Sequence, residues 1–77
     1  MMEKMINLPN MDAIHEFVQH ARETGDMVLV TKDGFKVQLD GASVLGMMSV
    51  IGQNIHVKCF GNAAPLGHIF EQYSVAR

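Results

Sequence analysis

Cysteine is almost missing from this 77-residue chain, and Cys59 stands alone. No internal disulfide and no cysteine-based zinc cage can form, and the start of the sequence lacks the charged residues and long apolar core of a secretory signal. A reducing cytoplasm is the expected compartment. Basic charge is scarce as well. Six Lys and Arg against eight Asp and Glu leave a net charge of −2, with the basic residues scattered, so nothing gathers the field that holds nucleic-acid phosphates. No apolar run approaches the roughly 20 residues of a membrane helix. Linkers, internal repeats and low-complexity tracts are absent too. One small domain spanning residues 1–77 is expected, of a size that buries only about 60–65% of its unfolded surface.

What is present is an ordinary globular composition, 48% hydrophobic and 18% charged, too apolar for disorder. The hydrophobic period switches repeatedly along the chain. Lys4 to Leu8 can form a short strand, stopped by Pro9. Asn10 is a good helix cap, and Met11, Ile14, Phe17, Val18 and Ala21 recur at helical spacing until Thr24-Gly25 ends the pattern. Val28 and Val30 alternate on one strand, Asp33-Gly34 supplies a tight hairpin turn, and Val37 and Leu39 alternate on the returning strand. Gly52-Gln-Asn54 makes a further turn. Ile55, Val57 and Cys59 then face inward while His56, Lys58 and Phe60 point the other way. Pro65 suits a first helical turn, and Leu66, Ile69, Phe70 and Tyr73 follow at i, i+3, i+4 and i+7.

The segment after Asp40 is unusual. Ser43 can cap a helix that carries Val44, Leu45, Met47, Met48, Val50 and Ile51, too many apolar groups for the single stripe of a surface helix. A helix of about eight residues is expected, with Met47 and Val50 or Ile51 turned to the core. Leu45 and Met48 are expected on the exposed side, next to Ser43.

The spacing from Phe17-Val-Gln-His-Ala21 through Val28, Val30 and Gly34, together with Ser43-Val-Leu-Gly-Met-Met-Ser49 and Asn54-Ile-His-Val57, resembles the HPr family, the phosphocarriers of the bacterial sugar phosphotransferase system. The resemblance covers most of the chain. It implies an α+β open-faced sandwich, a four-stranded antiparallel sheet with three helices on one face in the order βαββαβα. Members of that family carry phosphate on a histidine capping the first helix, with an arginine two residues later. Counting back from Phe17, those positions hold Asn10 and Asp12. Asparagine cannot accept the phosphoryl group, and Asp12 repels phosphate where the family attracts it. His15 could take the role only from a turn and a half inside the helix.

The resemblance therefore implies a divergent, catalytically degenerate relative, not an enzyme and without a cofactor, similar in type to the catabolite-repression HPr paralogue. In HPr proteins of Gram-positive bacteria a serine at the position of Ser43 is phosphorylated by a dedicated kinase, and its helix then docks on a transcriptional regulator. Carried over, Ser43 is the regulatory phosphorylation site and Val44, Leu45 and Met48 form the partner contact. A phosphate there would meet free helix amides, although Asp40 nearby opposes it. Two other readings stand beside this one: a divergent phosphocarrier still transferring phosphate, and a structural subunit that self-associates through outward Met27, Leu29 and Phe35.

The remaining titratable groups point to structure. His15 and His20 are five apart, which turns the second ring about 140° from the first, unlike the four-residue spacing of a helical zinc motif. Solvated helix histidines are expected, with Glu16 and His20 as an i,i+4 pair, and no metal site. His56 reads as a surface strand residue, His68 as a solvated residue of the last helix, and Cys59 as a small core filler.

Overall fold

Asn10 sets the start of the longest helix. Its backbone is extended, at φ −153°, and its side-chain oxygen accepts a hydrogen bond from the Ala13 amide at 2.9 Å, satisfying one of the donors a helix start leaves free. The helix ends where the Thr24 hydroxyl donates to the Ala21 carbonyl at 2.8 Å and Gly25 adopts the positive φ of +76° that stops a helix without a Cβ penalty. Ile14, Phe17, Val18 and Ala21, all on one face, are buried.

The computed structural model describes residues 2–32 and 38–75. In chain order they form β1 (Met2–Asn7), α1 (Met11–Glu23), β2 (Val28–Lys32), β3 (Gln38–Asp40), α2 (Val44–Met48), β4 (Asn54–Cys59), a 3-10 turn (Ala64–Leu66) and α3 (Gly67–Tyr73). The strands make one antiparallel sheet in the order β1-β4-β2-β3. The helices cover one face, which gives the expected open-faced βαββαβα sandwich. Its core follows from the register: Ile6 lies opposite Ile55, Val30 opposite Val57, and Val28 opposite Cys59. All six are buried against Ile14, Phe17, Leu66, Ile69 and Phe70. Each large aliphatic side chain so buried contributes roughly 1.5–3 kcal/mol. Cys59 is thus core, as its alternation suggests.

Gly41 lets the chain leave β3 close against this core. Its amide donates to the Val28 carbonyl at 2.8 Å, and a Cβ there would stand 2.8 Å from Val28 Cγ1 and 3.2 Å from Phe17 Cε2. Only glycine fits so near.

Several expectations need correction. The first strand is Met2–Asn7 rather than Lys4 to Leu8; Leu8 has left the ladder, but it is buried, and its carbonyl accepts from Gly52 at 2.8 Å. Helix α2 has five residues, not about eight. Ser49 closes it early, because both its amide, at 3.3 Å, and its hydroxyl, at 2.7 Å, bond to the Gly46 carbonyl. That tightening swings Val50 into the core while Gly52, at φ +72°, reverses the chain. Leu39 is half-buried rather than buried because β3 is the sheet's edge strand. Pro65 lies in the 3-10 turn ahead of the last helix rather than in its first turn. The Asp33-Gly34 turn, Phe35 and Val37 lie outside the described residues.

Val57→Asp is expected to unfold the protein. A carboxylate placed at the centre of the sheet's buried face costs several kcal/mol, against a total stability of roughly 4–12 kcal/mol for a chain of this size. A cooperative melt like that of the parent would show that the register is wrong.

Candidate functional site

Two hydrogen bonds set the run of chain containing α2 alongside α1. At one end the Arg22 Nε donates to the Ala42 carbonyl at 3.2 Å. At the other, the Gly52 amide donates to the Leu8 carbonyl, just ahead of Asn10. Asn7 reinforces this second junction, donating to the Gly52 carbonyl at 3.2 Å and to Asn54 Oδ1 at 3.0 Å. The segment after Ala42 therefore runs antiparallel to α1. Ser43 stands beside the C-terminal turn of α1, and Asn10 stands at the opposite end.

At the Asn10 end the arrangement is that of a capped helix. The Asn10 carboxamide oxygen is engaged by the Ala13 amide, and Asp12 is the acidic residue of the first turn, where the helix dipole favours negative charge. Two basic side chains of α1, His20 and Arg22, sit in its last turn, far from Asn10. His15 is exposed on the helix surface.

At the other end Ser43 caps α2, with its hydroxyl accepting from the Gly46 amide at 3.3 Å. The expected split of side chains holds: Met47 and Val50 are buried, while Leu45 is 82% exposed and Met48 45% exposed. Val44 departs from it, for it is half-buried and packs against the core. Any contact patch here consists of Leu45 and Met48, with Val44 as their support. Asp40 is turned toward its own backbone, where Oδ1 accepts from the Ala42 amide at 2.9 Å. Arg22, bonded to the Ala42 carbonyl, brings a positive charge to the same turn.

The histidines are distributed over the surface. His20 pairs with Glu23, at 2.8 Å from Nδ1 to Oε1, not with Glu16; the i,i+3 neighbour in the last turn is the nearer carboxylate. His56 Nε2 lies 3.3 Å from Glu3 Oε1, and Lys58 Nζ lies 3.8 Å from the same oxygen. This cluster on the open face of the sheet was missed in the sequence because its partners are more than fifty residues apart; only the β1-β4 register, with Glu3 opposite Lys58, brings them together. Met27 is 56% exposed and Leu29 half-buried, so the proposed self-association patch is narrower than Met27, Leu29 and Phe35 together suggest, Phe35 lying outside the described residues. Among the described residues no group of three or more His, Cys, Asp or Glu is placed to hold a metal ion, and no helix is long and apolar enough to cross a membrane.

No protein-family model matches this chain, and no curated protein matches it either. Solved structures do. The crystal structure of HPr-C-His from Thermoanaerobacter tengcongensis is similar with a TM-score of 0.70 and 22% identity, over 94% of this chain and 93% of that one. A phosphocarrier protein HPr from Bacillus anthracis str. Ames is similar with a TM-score of 0.68 and 20% identity, over 95% of this chain and 96% of that one. Identities this low establish the fold and no more. The fold is that of the HPr phosphocarriers, and the topology expected from the sequence is the one found.

Asn10→Ala should lower stability by about 1 kcal/mol through loss of the cap, while Asn10→Asp, which keeps the acceptor, should cost little or nothing. Urea denaturation monitored by circular dichroism measures both. Equal losses would mean that the side chain does not serve as the cap.

Proposed function

We propose that this chain is a regulatory, protein-binding module on the HPr fold, related to the sugar phosphotransferase system and catalytically degenerate, acting in the cytoplasm through the Ser43 helix. The observation that carries the reading is the state of Asn10: the residue that the resemblance aligns with the phosphate-accepting histidine is an amide committed to the helix cap, with Asp12 in the same first turn. An anion arriving there would meet the negative charge of Asp12 in the same first turn. The phosphoryl-carrying half of the family's chemistry has no nucleophile and no counter-charge.

On this reading the regulatory half keeps its parts. Ser43 has a hydroxyl at the start of α2, Arg22 supplies positive charge to the turn it belongs to, and Leu45 and Met48 lie exposed on the same short helix. Methionine is unbranched and repacks against different surfaces. Phosphate on Ser43 would add charge at the edge of this patch without disturbing Met47 and Val50 on the packed side. The partner that fits is a protein, a transcriptional regulator or the HPr kinase itself.

Incubation with phosphoenolpyruvate and the first enzyme of the system should leave the protein unlabelled. An acid-labile phosphate, above all one on His15, would overturn the reading in favour of a divergent carrier. Incubation with HPr kinase and ATP should give an acid-stable phosphate that Ser43→Ala abolishes.

Replacing Leu45 by Ser and Met48 by Gln together should shift stability by roughly 0.5 kcal/mol or less per site, as surface changes do, a few degrees of Tm at most. Binding of the phosphorylated protein to its regulator should be lost. A large fall in Tm would instead make both residues part of the core.

A further inference from the structure

A second surface lies at the edge of the sheet. Asp26, Met27, Leu29, Gln38, Leu39, Asp40 and Ala42 line an open groove of about 520 Å³. Met27 and Leu29 give it apolar side chains on the open face of the sheet, and the two aspartates supply its charge; Leu39, opposite Val30 in the register, packs against the core. Both carboxylates are half-used. Asp26 Oδ1 accepts from the Met27 amide at 2.6 Å, and Asp40 Oδ1 accepts from the Ala42 amide at 2.9 Å. These bonds to neighbouring backbone fix each side chain in place, and neither carboxylate has an ion-pair partner among the described residues. Arg22 reaches Ala42 from the helix side and is not part of the lining. Two held negative charges beside apolar side chains, with no lysine or arginine in the described lining, call for a positively charged, partly apolar occupant.

The shape of that occupant follows from the strand beside the groove. β3 ends the sheet order, so among the described residues the backbone groups on its outer side have no strand to pair with. It is only three residues long, too short to hold a partner by backbone pairing alone. An extended peptide could nevertheless pair with it while placing alternate side chains toward the groove. A small organic cation would use the carboxylates and leave the strand edge unused.

We infer that the β3 edge and its groove form a docking site for an extended protein segment in which an aliphatic side chain is flanked by lysine or arginine. The site is distinct from the Leu45 and Met48 patch and does not depend on the function proposed for that patch. Asp26 and Asp40 select the basic flanks, and Met27 and Leu29 receive the aliphatic group.

The test is an NMR titration of the ¹⁵N-labelled full chain with acetyl-Lys-Leu-Lys-Val-Lys-amide. The expected result is a set of amide shifts centred on Met27, Leu29, Leu39 and Asp40, with acetyl-Glu-Leu-Glu-Val-Glu-amide giving none. Asp26→Asn with Asp40→Asn keeps both backbone bonds, because the amide oxygen still accepts, and removes the charge; affinity should fall about tenfold, as expected for two solvent-screened ion pairs. Met27→Ser changes an exposed residue and should weaken binding without altering the melt. Shifts centred on α2, or equal affinity in the double aspartate variant, would overturn the inference. So would n-hexylammonium reproducing the same footprint at the same concentration, which would make the groove a small-cation site.

Discussion

The β4 strand is hydrogen-bonded along both of its edges, and its alternate side chains Ile55, Val57 and Cys59 are wholly out of solvent. A strand with partners on each side has no freedom of register: a slip of one residue would present Asn54, His56 and Lys58 to the core and turn three apolar groups outward. Everything else is placed by that choice. With β4 fixed, β2 and β1 present Val28, Val30 and Ile6 to the same face, and α1 can lie only where Phe17 and Ile14 meet them. The cap at Asn10 and the turn around Ser43 are carried to their positions by this packing, through hydrogen bonds at either end of the segment that runs beside α1.

The same electrostatics that make this helix stable make it a poor anion site. A helix start presents free amides and a partial positive charge, and a chain can satisfy these from within or leave them for a ligand. Here the Asn10 side chain takes the Ala13 amide, and Asp12 in the first turn sets a negative charge against the positive end of the dipole. A backbone shared with phosphocarrier structures does not by itself carry their chemistry, which depends on the side chains each chain places at this helix start.

How much of this was legible in the sequence depended on the distance over which each interaction acts. Helix α1 was readable nearly to the residue, because its cap, its apolar period and its terminating Thr24-Gly25 are all local. The strands were readable in kind, since alternation is local, but β1 was started two residues late and ended one residue late because its limits are set by pairing with β4. The length of α2 was not readable: an apolar run continues to Ile51, and only the bonds of Ser49 to Gly46 and the burial of Val50 show where it stops. The exposure of Leu45 and Met48 was legible because helical geometry separates them from Met47. The Glu3, His56 and Lys58 cluster and the groove between Asp26 and Asp40 were not, being assembled from residues that only the folded sheet brings together.

The pairing of Met2 with Cys59 and of Asn7 with Asn54 also carries a consequence for the order in which the molecule assembles. On a growing polypeptide β1 is made well before the strand it must join, with two helices and two other strands translated between them. Until then Ile6 and Leu8, which end wholly buried, have no sheet to enter, and α1 has only β2 and β3 to pack against. Loop closure over so long a stretch is slow compared with forming a helix. The nascent chain therefore carries β1 unpaired until β4 is made, and the exposure of Ile6 to chaperones and to mispairing is set by how quickly β4 arrives.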